Sequence, residues 1–153
     1  RNRVVIWFIA FLFLMAAWLV WALVRPTLFT RRVEKSLRQF ERSRERLESE
    51  FFQVASTSGK PRGLQWKQCS FQPGIVIARD RANGDIVGLV GVTVSFDAVE
   101  GGTMEDVEAV GNLRAATAVF THSGNEWATQ GRVVFNLEPR EVLTRYRSSL
   151  DVL

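Results

Sequence analysis

The sequence predicts an α+β chain in which an apolar helix and a long amphipathic helix precede an antiparallel sheet of about five strands and a short C-terminal helix. Three observations predict this class. The first residues form an apolar run long enough to cross a membrane. The residues that follow this run carry apolar side chains at helical spacing. From Leu64 onward, apolar and polar residues alternate with period two, as in half-buried strands.

Residues 1–25 are predicted to be a transmembrane anchor. Residues 4–24 contain no charged, amide, glycine or proline residue, and about 20 apolar residues match the thickness of a bilayer core. Trp7, Trp18 and Trp21 lie near the two ends of this run, where indole rings favour the headgroup boundary. A cleaved signal peptide is the competing interpretation, but its apolar region is normally about 7 to 15 residues long.

Basic residues follow the predicted span closely. The formal charge is +7 through Arg62 and −3 from Gly63 onward, so the basic character belongs to the membrane-proximal half and gives no reason to expect nucleic-acid binding. A well-placed cation at an anionic membrane surface contributes on the order of 1 kcal/mol. We therefore expect headgroup contacts from Arg25, Arg31, Arg32, Lys35 and Arg38.

Residues 26–56 are predicted to form an amphipathic juxtamembrane helix, because apolar residues recur with alternating spacings of four and three. This packing seam comprises Val33, Leu37, Phe40, Leu47, Phe51 and Val54, with Arg44 at its centre. The seam is short for a coiled coil. We therefore expect one face of the helix to pack on the following sheet, with Arg44 reaching out at the edge. Residues 57–63 are expected to be a linker, since they are rich in serine, glycine and proline.

Residues 64–153 are predicted to form an antiparallel β-rich α+β domain. Strands are expected at residues 64–71, 75–81, 86–98, 113–122 and 127–137. Asn83 and Gly84 favour a tight hairpin turn between the second and third strands. A final helix is expected from Pro139 to about Ser149, since proline is tolerated at a first helical position.

This order of elements resembles the cystatin-like and NTF2-like group of folds. The resemblance covers roughly residues 27–153, rests on element order and carries over no functional residue. It implies a curved sheet with one face covered by the long helix. Single-pass proteins with such a domain beyond the membrane are similar to assembly components of bacterial secretion and envelope machines, so the resemblance implies a role within a protein assembly.

The sequence is poor in residue types that carry catalysis or bind metals. It has one histidine, one cysteine and one tyrosine, and neither a zinc-ligand spacing nor a phosphate-binding glycine loop. His122 is expected to be a hydrogen-bonded residue at a turn, and Cys69 a buried apolar side chain. The acidic segment around Glu105 is expected to be a solvated loop. We therefore predict no enzyme activity, no cofactor and no metal.

The leading hypothesis is a single-pass membrane accessory or scaffold protein whose small domain contacts other proteins. Its expected partners are the lipid bilayer and either other proteins or further copies of the chain. One alternative is a membrane-tethered ligand-binding or sensory module in which Trp66 and Trp127 line a cavity. Another is an NTF2-like hydrolase or isomerase, which needs an inward-facing acid–base group such as Asp97, His122 or Asp80.

Two opposing observations bear on the side of the membrane that carries the domain. More basic residues follow the span than precede it, which by the positive-inside rule places the domain in the cytoplasm. A span so near the start of the sequence, followed by a β-rich domain, is typical of an exported domain on a signal anchor. We expect an extracytoplasmic domain.

Overall fold

The computed structural model describes residues 2–58, 63–105 and 111–153, and within the first range it describes the side chains of residues 6–8, 10–24 and 29–58. The chain divides into two compact units, residues 1–38 and residues 39–153. Its described elements are α1 (Asn2–Ser58), β1 (Leu64–Phe71), β2 (Val76–Asp80), β3 (Ile86–Ala98), β4 (Arg114–Ser123), β5 (Glu126–Phe135), α2 (Pro139–Arg145) and β6 (Leu150–Val152).

The first unit is the N-terminal part of α1, and its apolar surface is uncovered. All described side chains of residues 6–24 are exposed, from 43 % for Val24 to 79 % for Phe13 among the large apolar ones. Among the described residues, one helix is long and apolar enough to cross a membrane, and a signal sequence has the same properties. A contiguous apolar surface of this kind is rare on soluble monomers.

The second unit is built on one antiparallel sheet of six strands, with β3 at its centre. β4 and then β5 lie on one side of β3. The other side is long enough for two partners, because Phe71 of β1 lies opposite Val92 and Val76 of β2 lies opposite Leu89. The predicted α+β class is confirmed, with a long N-terminal helix, an antiparallel sheet and a short C-terminal helix.

The C-terminal segment differs from the sequence prediction. The final helix was expected to reach about Ser149, but α2 ends at Arg145 and the chain then forms β6. β6 pairs with β2, and both Arg79 and Arg81 bind the carboxylate of Asp151, at 3.4 and 2.6 Å. A strand of three residues has no detectable period of its own, so this pairing is decided by tertiary contacts.

Residues 39–58 of α1 cover one face of the sheet with aromatic side chains. The ring centroid of Phe40 lies 5.3 Å from that of Phe120, and that of Phe51 lies 5.6 Å from that of Phe71. Burying an aromatic or large aliphatic side chain contributes about 1.5–3 kcal/mol. The completely buried residues of this stretch are Phe40, Leu47, Phe51 and Ala55.

A β-bulge in β1 determines which of its side chains face α1. Trp66 lies opposite Phe96 and Gln68 lies opposite Ser95, so Lys67 is an extra residue on this strand. A bulge of one residue reverses the alternation of faces that follows it. Trp66 before the bulge and Cys69 after it therefore both lie on the side of the helix.

A larger irregularity in β5 allows the helix backbone to approach the sheet closely. Thr129 lies opposite Phe120 and Val133 opposite Ala118, so β5 contains two more residues than β4 over this stretch. Gly131, within it, has φ of 68°. A Cβ atom at Gly131 would lie 2.7 Å from the backbone nitrogen of Ala55, so only glycine fits here without a shift of the helix.

The opposite face of the sheet carries a second, smaller apolar core beneath α2. Val142 and Leu143 of α2 are buried there with Ala78, Val87 and Leu89. β3 is therefore apolar on both faces, which is typical of a strand covered from both sides. This second core places α2 on the face of the sheet turned away from α1.

Candidate functional site

The residues predicted to contact the membrane surface lie in the first unit. Trp7, Trp18 and Trp21 are exposed. The basic side chains of Arg31, Arg32, Lys35 and Arg38 are also exposed, and Arg38 lies 3.9 Å from Glu34. The side chain of Arg25 lies outside the described residues. Headgroup contact by this group stays a prediction.

The predicted packing seam is divided between the two units. Val33 and Leu37 are half-buried residues of the first unit. In the second unit, Val54 is half-buried, and Phe40, Leu47 and Phe51 are completely buried.

Arg44, at the centre of the seam, lies at the edge of the contact between helix and sheet. Its Nη2 donates a hydrogen bond of 2.7 Å to the carbonyl oxygen of Gln72, and its Nε donates one of 2.8 Å to the Glu48 carboxylate. The guanidinium therefore links α1 to the turn between β1 and β2.

The space between α1 and the sheet is filled by aromatic rings where Trp66 and Trp127 lie. The Trp66 ring centroid is 5.3 Å from that of Phe96, and the Trp127 centroid is 5.1 Å from that of Phe40. Such edge-to-face pairs add about 0.5–1.5 kcal/mol to the burial of their surface. Both indoles are thus packed into this core.

His122 lies on the same face, at the end of β4. It is 3 % exposed, and its Nε2 is 3.2 Å from Oε1 of Gln39. The Gln39 amide nitrogen in turn donates a hydrogen bond of 2.8 Å to the carbonyl oxygen of Asn125. His122 and Gln39 together attach the β4–β5 turn to the helix.

The carboxylate of Asp97, another candidate acid–base group, lies on the other face of the sheet. It accepts a hydrogen bond of 3.0 Å from Nζ of Lys67. His122 and Asp97 are therefore separated by the sheet, and they form no acid–base pair in the folded domain.

The thiol of Cys69 is half-buried. Desolvation, with a smaller contribution from the negative charge of Glu48, raises the pKa of Cys69 from 9.0 to about 12. The thiol therefore stays protonated at neutral pH, and a protonated thiol is a poor nucleophile.

The described residues contain no group of three or more histidine, cysteine, aspartate or glutamate side chains that could hold a metal ion. The carboxylate of Glu105 instead accepts a hydrogen bond of 2.9 Å from the backbone N–H of Gly101. The rest of the acidic segment, residues 106–110, lies outside the described residues.

Two grooves flank α2 on the face of the sheet turned away from α1. The first, which we call the outer groove, has a volume of about 320 Å³. Val87, Leu89, Val119 and Val134 form its floor, and its polar lining residues include Arg132 and Asp80, the third acid–base candidate named from the sequence. An apolar floor with a few polar groups is typical of a binding site.

The second groove, which we call the turn groove, has a volume of about 350 Å³. It lies between residues 72–76 and the start of α2, where Glu138, Pro139 and Arg140 line it. Leu89 lines both grooves, so the two adjoin at this residue. The sequence carries a signal for this face, because Val87 and Leu89 are apolar residues that alternate with the residues facing α1.

Comparison with known protein families, with curated proteins and with solved structures finds no significant match to this chain. Its function is therefore inferred from the residues and the geometry described above.

Proposed function

We propose that this chain is a single-pass membrane protein that acts as an accessory or scaffold subunit, and that its α+β domain contacts other proteins in a larger membrane or envelope complex. The observation that carries this proposal is the uncovered apolar surface of residues 6–24, where every described side chain is exposed. Such a surface is stable in hydrocarbon and unfavourable in water, at about 25 cal/mol per Å² of apolar area.

The chemistry of the domain supports binding over catalysis. His122 and Asp97 lie on opposite faces of the sheet, and Cys69 is protonated at neutral pH because its pKa is about 12. By contrast, the face that carries α2 has two adjoining grooves with an apolar floor. The outer groove also favours a second candidate function, a membrane-tethered ligand-binding or sensory module. An NTF2-like hydrolase or isomerase has less support.

The relation to the cystatin-like and NTF2-like folds belongs to the same proposal. It is supported by the covering of one face of an antiparallel sheet by residues 39–58 of a long helix.

The extracytoplasmic orientation of the domain is also a proposal, and labelling of an introduced cysteine tests it. Cys69 is a poor reporter because its pKa is about 12, so Cys69→Ser is the background. In intact cells, a membrane-impermeant maleimide is expected to label Ser148→Cys, an exposed site, and to leave the opposite-side control Asn2→Cys unlabelled. Labelling of Asn2→Cys alone would contradict the proposed orientation.

The assembly role is tested by extraction from native membranes in a mild detergent, followed by native sizing and mass spectrometry of the proteins that co-migrate. The wild-type chain is expected in a stable assembly with other proteins. A chain whose residues 1–25 are replaced by an unrelated membrane span is expected to stay in that assembly, because the domain makes the contacts. A wild-type chain that extracts as a free monomer would overturn the proposal and favour the ligand-binding alternative.

A further inference from the structure

Arginine side chains line both grooves, although residues 63–153 have a net charge of −3. Eight lysine and arginine residues occur there. Lys67 and Arg114 line neither groove. Of the other six, Arg132 lies on β5 and Arg140 on α2, where they line the grooves. Arg145 and Arg147 lie at the end of α2 and just after it, and Arg79 and Arg81 lie on β2 and directly after it.

Carboxylates near these arginines already have partners within the domain. Asp151 binds Arg79 and Arg81. Asp80 accepts a hydrogen bond of 2.8 Å from the backbone N–H of Ala82, and Glu141 accepts one of 2.8 Å from that of Glu138. These acidic groups are therefore held in local contacts.

Several of the arginines, by contrast, form no ion pair with another residue of the described chain. Arg132 lines the outer groove, which Asp80 also lines, and Arg140 lines the turn groove, which Glu138 also lines. Arg145 and Arg147 are exposed close by. Their guanidinium groups can each bind a carboxylate through two parallel hydrogen bonds. Set against the carboxylates of Asp80, Glu138 and Glu141, these four arginines leave a small excess of positive charge on a domain whose net charge is −3, and this excess favours an acidic partner.

The shape and polarity of the outer groove restrict that partner further. Its floor is made of valine and leucine side chains and lies between α2 and the strands. A volume of about 320 Å³ suits aliphatic side chains that extend from a peptide. The broad surface of a bilayer would reach the guanidiniums on the rim and leave the recessed floor unfilled.

We propose that the outer groove and the adjoining turn groove bind an acidic peptide segment of a partner protein. Aliphatic side chains of that segment fill the floor formed by Val119 and Val134, and its carboxylates bind Arg132 and Arg140. This inference rests on the proposed role of the domain in protein–protein contacts and adds the chemistry of the partner.

Selection from a display library of random decapeptides tests this inference on the full chain, embedded in nanodiscs of uncharged lipid. Peptides selected on the wild-type chain are expected to be enriched in Asp or Glu beside Leu, Ile or Val.

Fluorescence anisotropy of the most enriched peptide then compares the affinities of two variants with that of the wild type. Arg132→Gln is expected to weaken binding about tenfold, near the lower end of the loss for a hydrogen bond to a charged group, because Arg132 is exposed. Arg114→Gln removes an exposed arginine outside both grooves and is expected to bind as the wild type does.

Val134→Thr provides a second readout that does not depend on charge. It adds a hydroxyl to the floor of the groove at nearly constant side-chain size, and it is expected to weaken the binding of the peptide. Cooperative unfolding of the variant domain is the control that it is still folded. No enrichment, enrichment of basic peptides, or equal binding by Arg132→Gln and wild type would each overturn the inference.

A membrane surface as the anionic partner is the other result to distinguish. The test is cosedimentation of the nanodisc-embedded chain with vesicles that contain anionic phospholipid. If the chain cosediments in a manner that depends on Arg132, and no peptide is enriched, the peptide proposal is overturned and the site is assigned to lipid headgroups. Native sizing after extraction tests the proposed function separately. Failure of peptide selection with an intact native assembly would overturn this inference alone and leave the proposed function standing.

Discussion

The close approach of α1 to Gly131 makes this glycine a sensitive test of the packing between helix and sheet. In Gly131→Ala, φ of 68° places an L-residue in the left-handed region, which costs roughly 1–2 kcal/mol. The new Cβ would also lie 2.7 Å from the nitrogen of Ala55 and 2.9 Å from the carbonyl carbon of Val54. Because both are backbone atoms, the helix must shift, and overpacking of this kind costs about 1–3 kcal/mol.

Gly124→Ala is the matched control. Gly124 has φ of 64°, and nothing lies within 4 Å of the Cβ position. Both variants change the unfolded chain alike, so the difference between them isolates the steric contact with the helix. We expect Gly131→Ala to lower the free energy of unfolding by about 1–3 kcal/mol more than Gly124→Ala.

Pulse proteolysis of the full chain across a urea series, in a mild detergent, measures the two midpoints. The domain is then followed separately from the apolar residues 6–24, which stay in the detergent. Equal midpoints for the two variants would refute the reasoning, because they would show that the helix backbone does not lie against Gly131.

Three further changes test separate contacts of the domain. Phe51→Ala is expected to lower the free energy of unfolding by about 3–5 kcal/mol, the usual cost of removing a buried aromatic ring. Its control, Gln53→Ala at an exposed position, should change that free energy by less than about 0.5 kcal/mol. Similar urea midpoints for the two variants would contradict the buried position of the ring. Arg44→Met removes the hydrogen bond from α1 to the β1–β2 turn, together with the contacts of Arg44 to Glu41 and Glu48 within the helix, and should cost about 1–2 kcal/mol. Arg46→Met removes an exposed ion pair worth less than about 0.5 kcal/mol, and equal losses in the same assay would refute the linking role. At pH 8 the thiolate fraction of Cys69 should be roughly 1000-fold lower than that of a thiol with the ordinary pKa of 9.0, since burial raises its pKa to about 12. Its alkylation should therefore be slower than that of an exposed thiol, and the rate should rise about tenfold per pH unit. An ordinary rate at pH 8 would show that the thiol is accessible.

The sequence predicted the elements whose periodicity is long and regular. The bounds of β1 and β3 are as predicted, and those of β2, β4 and β5 differ by one or two residues at their ends. Alternation over many residues determines the face that each strand buries. Asn83-Gly84 marks the connection of β2 to β3, but the predicted tight two-residue turn is wrong, because residues 81–85 form the loop and only Gly84 of the pair has positive φ, at 76°. These signals are local, so they are readable without tertiary information.

Features that depend on a neighbouring element were not readable. The three residues of β6 become a strand because β2 offers an edge, and the helix expected to reach about Ser149 therefore ends at Arg145. The bulge at Lys67 and the irregularity at Gly131 depend on the registers of β1 with β3 and of β4 with β5. The outer groove arises where α2 leaves part of an apolar sheet face uncovered, and this depends on the position of α2.

Site-specific photo-crosslinking in native membranes tests the central claim most directly, namely that the domain contacts a partner protein through the face that carries α2. One photoreactive phenylalanine derivative replaces Tyr146, an exposed residue lining the outer groove. The control replaces Ser49, an exposed residue of α1. We expect a crosslinked protein product from the Tyr146 position, reduced by an excess of the selected acidic peptide, and none from the Ser49 position. A product from the Ser49 position alone, or from neither position, would contradict the claim.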